Sequence, residues 1–303
     1  MNSLIIGKAT IFRNIKEYKF SHKLTNEQKQ EITNKLLEVL GENYSLITLT
    51  NASENVINFL NKNSLINKNS TIVILSKTQP VCIDLFNGEH ISIVATGENC
   101  FNIANDVADL IQNKISLSYS DEFGYLMSNL NNIGAGIKLE ADMCLDAICG
   151  LGKIEQVRQN IAMLGYNLNP TNIKSCFKIS TKCSLGFSES ETYENFNKTI
   201  QKLQDLEVES VKMLNVSSGD EILDNVSRSV AVLNSAHLMN IEELTRHLII
   251  LRTGLNLGIV EIELEKINKL QNLVINKLNF VSKEECKELA KTIKAILKGE
   301  NNV

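Results

Sequence analysis

Apolar residues recur at Ile32, Leu36, Leu37 and Leu40, a spacing that places them on one face of a helix. Thr25-Asn-Glu-Gln28 precedes them as a capping box, with Thr at the N-cap and Gln three residues later, so a helix is predicted to open there. Val56-Ile-Asn-Phe-Leu60 predicts a second, short helix. Ile72-Val-Ile-Leu75 and Val81-Cys-Ile-Asp-Leu-Phe86 predict strands. The latter runs into Asn87-Gly88 and then His90-Ile-Ser-Ile-Val-Ala95, which predicts a tight hairpin with positive φ at both turn residues. Helices are expected over 102–112 and 153–164, with the polar loop containing Asp121 between them and a strand over 173–179 beyond.

From about Glu191 the pattern is helical throughout. Ile222, Leu223, Val226, Val230 and Leu233 form one apolar stripe, and Ile241, Leu244, Leu248 and Leu251 a second. Leu264, Ile267, Leu270 and Val274 form a third, and Leu289, Ile293 and Ile296 close the series. Short polar breaks between them predict an antiparallel helical bundle. The fold class expected is α+β: a mixed domain over 1–218, then a helical domain over 219–303. With only 2 prolines in the chain, Gly, Asn and Ser must end most elements.

A length of 303 residues suits one large domain or two ordinary ones, and 43% apolar with 22% charged residues is usual for a soluble globular protein. The net charge of −4, with no basic patch, gives no electrostatic reason to bind nucleic acid. Apolar runs are too short to span a membrane. Met1-Asn-Ser-Leu4 has no basic segment or cleavage-type site, so a cytoplasmic location is the default expectation. The 7 cysteines include no C-x-x-C pair and are expected to be free thiols, mostly buried as small apolar residues. Together with 4 dispersed histidines they suggest no metal site. Gly150-Leu-Gly-Lys153 is no Walker loop, because Ala147 stands at its first glycine and Ile154 at its Ser or Thr.

Longer stretches carry more. Asp121-Glu-Phe-Gly-Tyr-Leu-Met-Ser-Asn-Leu-Asn-Asn-Ile-Gly-Ala-Gly-Ile-Lys138 resembles the D-E-x-G-Y-L-T-S-C-P-T-N-x-G-T-G-x-R segment of phosphagen (guanidino) kinases. In the same order, Arg13-Asn14…Phe20-Ser-His-Lys-Leu24 resembles R-N-x-x-x-x-x-F-P-x-R-L, and Phe177-Lys-Ile-Ser180…Leu185-Gly-Phe-Ser-Glu189 resembles F-x-I-S-N…L-G-x-S-E. Arg252-Thr-Gly-Leu-Asn-Leu-Gly-Ile259 resembles R-L-G-x-x-L-G-I. The chain is therefore similar to the ATP:guanido phosphotransferases, and most like the bacterial protein-arginine kinases. That resemblance implies an antiparallel sheet flanked by helices, followed by a helical region that dimerises. It also implies transfer of an ATP γ-phosphoryl group to a guanidinium nitrogen, by positioning and charge stabilisation. Arginines would cradle the phosphates, a carboxylate would hold the guanidinium and take its proton, and a reactive Cys would sit beside it.

Position by position the sequence departs from that pattern. Lys8 and Thr10 stand where phosphate-binding arginines are expected, and Arg13 alone is kept. The N-E-E-D-H-x-R loop reads Phe86-Asn-Gly-Glu-His-Ile-Ser92, aligning the catalytic carboxylate with Gly88 and an arginine with Ser92. In the glycine loop the Cys is Asn129, the Pro is Leu130 and the Arg is Lys138. The R-G-x-x-G-E loop is replaced by Tyr166-Asn-Leu-Asn-Pro170, and a phosphoarginine-sensing R-D-x-x-R-A motif by Lys283-Glu-Glu-Cys-Lys-Glu288.

The resemblance makes Lys8, Thr10, His90, Ser92 and Lys138 the candidate nucleotide and phosphate contacts, and Asn129, Asn132, Gly134 and Gly136 the substrate loop. Glu89 is the candidate carboxylate, or else a hairpin residue. Lys8 and Lys138 either hold phosphate or are solvated, and His90 either touches a base or is structural. Arg13 is expected in a structural ion pair. Two functions follow. One is a catalytically impaired homodimer acting by binding in bacterial protein quality control. Its implied partners are a Clp-type ATPase, a zinc-binding activator and a heat-shock repressor. The other is an active protein-arginine kinase using Mg-ATP. A free amino-acid kinase is disfavoured, because the specificity domain of those enzymes is absent.

Overall fold

The chain runs through β1 (Leu4–Arg13), α1 (Asn26–Leu40), β2 (Tyr44–Thr48), α2 (Glu54–Lys62), β3 (Ile72–Ser76), β4 (Val81–Leu85) and β5 (Ile91–Thr96). It continues with α3 (Cys100–Gln112), β6 (Tyr119–Ser120), β7 (Gly124–Tyr125), β8 (Ile137–Cys144), α4 (Asp146–Gly150), α5 (Ile154–Met163), β9 (Tyr166–Pro170) and β10 (Cys176–Thr181). Helices α6 (Glu189–Ser235), α7 (Ile241–Asn256), α8 (Leu264–Asn276) and α9 (Lys283–Lys298) complete it. This is a computed structural model that describes residues 4–97, 99–171, 173–276 and 282–299. Met1–Ser3, on which the expectation about a secretory signal rests in part, and the chain end beyond 299 lie outside the described residues.

Eight strands form one antiparallel sheet in the order β2-β3-β4-β5-β1-β8-β10-β9, and β6 pairs with β7 apart from it. Side chains alternate between the two faces of a strand. Ala9 and Ile11 on β1, Ile91 and Ile93 on β5, and Leu139 and Ala141 on β8 all point to one side. That side is covered by α1, α3, α5 and the start of α6, through Leu36, Val107, Ile161 and Phe196 among others. Burying one such Ile or Leu contributes about 1.5–3 kcal/mol. The opposite side is covered at the β3-β4-β5 end, where Leu60 of α2 and Leu65 pack on Val73, Cys82 and Val94. Toward β8, β10 and β9 it is open and polar.

Several expectations are corrected. Asn87-Gly88 does not form a two-residue turn: β4 ends at Leu85, which pairs with Ile91, and Phe86 N donates to His90 O. Positive φ falls on Phe86 and Gly88, not on Asn87. The loop is longer because Glu89 and His90 are buried within the fold, at 2% and 0% exposure. Cys144 and Cys176 form a disulfide between β8 and β10, so the thiols are not all free. The strand register sets these two residues opposite each other, a pairing that sequence spacing could not show. The last strand runs Cys176–Thr181 instead of 173–179, and the residues at 166–170 form edge strand β9.

The capping box at Thr25 and Gln28 is present, and others open α6 (Ser188, Glu191) and α9 (Ser282, Glu285). Helix α6 runs unbroken through the 218/219 position. Its C-terminal half packs with α7, α8 and α9 around Leu233, Leu248, Leu270 and Ile293. The Arg-Thr-Gly motif ties this bundle to the sheet. Arg252 Nε and Nη2 donate to Asp146 Oδ2 (2.9 Å) and Oδ1 (3.2 Å) at the start of α4. Two residues on, Gly254 lets α7 approach α6: a Cβ there would stand 2.7 Å from Val226 Cγ1.

Beside this bridge lies Glu207 of α6, 3% exposed, whose carboxylate accepts from Ala147 N (2.7 Å) and Ile148 N (3.1 Å). Burial pushes its carboxyl up to about 7. The two backbone donors and Arg252 pull the other way, while Asp146 adds to the rise. The protonated form is thus favoured by folding. Its stabilising contribution is fully present below the ordinary glutamate range and is lost as pH rises through about 7. Denaturant unfolding should show a loss on the order of 2 kcal/mol between about pH 5 and pH 8. Glu207→Gln should remove most of that slope, and an unchanged slope would assign the pH dependence elsewhere.

Candidate functional site

The open face of the sheet is built by register. Thr10 lies opposite Lys138 and Lys8 opposite Glu140 across β1 and β8. Glu140 in turn faces Ser180, and Asp142 faces Lys178, across β8 and β10. Every second residue of β8 and β10 therefore adds to one polar stripe of Lys138, Glu140, Asp142, Lys178 and Ser180. A cleft of 540 Å³ opens on this stripe, rimmed by Asn87 and Glu89 from the β4–β5 loop and by Asn129 and Asn132 from the glycine loop.

Charges on the stripe are internally paired. Glu140 Oε1 lies 3.1 Å from Lys138 Nζ and Oε2 lies 3.8 Å from Lys8 Nζ. Lys178 Nζ is 3.8 Å from Asp142 Oδ1. Burial alone would push the Glu140 carboxyl up, but Lys138, Lys8 and Lys178 outweigh it and hold the group below the usual carboxylate range. Burial lowers the Lys8 ammonium despite Glu140, with Lys178 and Lys138 adding to the effect. Lys182 Nζ is turned to Ala162 O at 3.0 Å.

Glu89 sits at the rim with its oxygens engaged by its own chain. Oε2 accepts from Asn14 Nδ2 (2.6 Å) and Ser128 N (3.0 Å), and Oε1 from Asn129 N (3.1 Å) and Ser128 N (3.1 Å). The carboxylate thus clasps the glycine loop to the β4–β5 loop. A general base needs a lone pair within reach of the proton it takes, and here those lone pairs face backbone N–H groups. Asn14 completes the clasp by accepting from His90 N (2.8 Å). His90 has no exposure: Nδ1 accepts from Ile15 N (3.0 Å) and Nε2–H donates to Lys19 O (2.7 Å). Burial lowers its pKa, so the ring is held neutral as a structural pin.

Among the sequence candidates, Glu89, Asn129, Asn132 and Lys138 meet at the cleft, and Lys8 joins them through Glu140. Thr10 and Ser92 share the face but are 6% and 5% exposed. Gly134 and Gly136 are not among the residues that line the cleft. A Cβ on Gly136 would stand 2.9 Å from Arg13 Nη1, and Arg13 is the fully buried partner of Glu189 at the start of α6. Sequence reasoning missed Asn14, Glu140, Asp142 and Lys178. Only Asn14 had a signal, as the second residue of the Arg-Asn motif. Among the described residues no group of three or more His, Cys, Asp or Glu could hold a metal ion.

The model of the ATP:guanido phosphotransferase C-terminal catalytic domain matches residues 5–210. The chain belongs to this family. A second family model, of the protein-arginine kinase McsB C-terminal domain, matches residues 219–299. A protein-arginine kinase of Clostridium perfringens is 27% identical over 291 residues, spanning 88% of this chain and 86% of that protein. One from Clostridium botulinum is 24% identical over 97% of this chain and 95% of its own. Among solved structures, lombricine kinase matches with a TM-score of 0.59 at 14% identity, over 72% of this chain and 69% of that one. A duplicated taurocyamine kinase from Schistosoma mansoni matches with a TM-score of 0.59 at 15% identity, over 80% of this chain and 38% of that one. These structures share the fold. The family accounts for the sheet and its helical flanks, and no described helix is long and apolar enough to cross a membrane.

Proposed function

We propose that this guanidino-phosphotransferase relative is a protein-arginine-kinase-like protein whose phosphoryl-transfer chemistry is impaired and which acts by binding in bacterial protein quality control. The observation that carries this reading is the state of the site's charges. The only carboxylate among the sequence candidates, Glu89, is spent on clasping the glycine loop, and Gly88 stands at the family's carboxylate position. The cations at the phosphate positions face Glu140. A triphosphate brought onto them meets a carboxylate where the family pattern supplies arginine forks, so the residues present do not fit that group as they stand. Around the glycine loop, Tyr119, Phe123, Leu130, Leu185 and Phe187 are exposed, an apolar rim suited to a polypeptide. The partner classes that fit are a Clp-type ATPase, a zinc-binding activator and a heat-shock repressor, met in the cytoplasm by a homodimer formed through the helical C-terminal region.

Active transfer from Mg-ATP to protein arginine is the second reading, favoured by Lys8 and Lys138 lying on one face of the sheet. Calorimetric titration with Mg-ATP, paired with detection of acid-labile phosphoarginine on a general protein substrate, separates the two. The proposal expects weak or no nucleotide binding and no phosphoarginine. Phosphoarginine formed by the purified chain would overturn it.

A further inference from the structure

Lys8 and Lys138 come from different strands and converge on one side chain. Their separation is spanned by Glu140, which lies opposite Lys8 across the sheet and two residues beyond Lys138 on the same face. Both Glu140 oxygens are within ion-pair distance of these ammonium groups, at 3.1 Å and 3.8 Å. The Glu140 side chain is 13% exposed and that of Lys8 24%, so solvent screens the contact less than it would a surface pair. Asp142 repeats the arrangement one step along the strand with Lys178.

We infer that Glu140 is a resident counter-anion: it occupies the lysine pair at the phosphate positions and sets the cleft against polyphosphates. A phosphate chain entering the cleft must share Lys8 and Lys138 with a fixed carboxylate of like charge. Replacing the carboxylate by an amide of the same shape removes the competitor and leaves both lysines in place. The lysine pair then becomes a site for a condensed phosphate, with Lys138, the more exposed of the two, as its main contact. This inference rests on the reading that the face is built without working phosphate-binding groups.

The probe is inorganic tripolyphosphate, titrated calorimetrically into the full chain at low and at high salt. Glu140→Gln is expected to bind it about tenfold or more tightly than the unaltered protein at low salt, with the gain falling as salt rises. Adding Lys138→Ala to Glu140→Gln should abolish the gain. Equal or weaker binding by Glu140→Gln would overturn the inference, and so would a gain that survives Lys138→Ala. Thermal melts check the fold. If Glu140→Gln does not fold, Glu140→Thr, a β-branched residue suited to a strand, carries the same comparison. Phosphoarginine formation by the unaltered chain would sink the proposed function, whereas an unchanged tripolyphosphate affinity in Glu140→Gln would sink only the role given to Glu140.

Discussion

Arg13→Met is expected to lower stability by about 3–5 kcal/mol, the cost of removing one partner from a buried ion pair. Arg13 is fully buried, pairs with Glu189, and donates from Nη1 to Phe12 O at 2.7 Å. Its guanidinium also stands 3.6 Å from the centre of the Tyr125 ring. Methionine keeps most of the apolar stem, so what disappears is the charge to which β1, the glycine loop and the start of α6 are all fitted. Glu189→Gln should cost less, because Arg13 keeps the Phe12 carbonyl and the Tyr125 face, and Glu189 is 24% exposed. If the pair acts as a unit, the double variant should cost at least about 1 kcal/mol less than the sum of the singles. Urea midpoints at unchanged m-value measure all three. An Arg13→Met protein within about 1 kcal/mol of the parent would show that the ion pair does not hold these elements together.

Periodicity made most helices and the β3-β4-β5 strands legible, because their apolar positions follow one period without interruption. Strand β1 was hidden by its chemistry. Its inward set, Ala9 and Ile11, ends in Arg13, which a hydrophobic pattern reads as exposed. Edge strand β9 ends in Pro170, a residue that argues against a strand except at an edge, and its polar residues read as loop.

The site divides along a similar line. Motif residues kept from the family pattern, namely Arg13, Asn14, His90, Gly134, Gly136 and Glu189, prove to be the internal frame. The replaced ones, Lys8, Asn129 and Lys138, line or border the open face. Glu140 escaped notice because its meaning depends on lying opposite Lys8, and only the β1–β8 register creates that neighbourhood. The long loop at 86–90 departs from its sequence signal for a related reason. Asn-Gly signals a tight turn locally, but burying Glu89 and His90 against Asn14 and Ile15 requires a wider one.

Gly134→Ala tests how far that frame controls the cleft. The residue has φ +105, and a Cβ there would lie 2.4 Å from Ser184 O and 2.8 Å from Leu185 Cα. Both obstacles are backbone, so no side chain can swing away. The same position is stitched on two sides: Tyr125 N donates to Gly134 O at 2.9 Å, and Ala135 N to Ser184 O at 3.0 Å. Making room for one methyl group therefore means pulling the loop off one of these partners. The expected loss is about 3 kcal/mol or more, beyond what positive φ alone costs. Gly152→Ala supplies the comparison, since Gly152 also has positive φ (+69) but nothing within 4 Å of a Cβ, and should lose only about 1 kcal/mol. Equal losses would mean that φ, and not the close approach to Ser184, decides the position. The clash also predicts a distant readout. Ser128 N and Asn129 N are held by Glu89 on the same loop, so their amide hydrogens should exchange faster in Gly134→Ala and stay protected in Gly152→Ala. If both remain protected, the glycine turn and the Glu89 clasp are independent, and the cleft does not depend on the turn that marks its family.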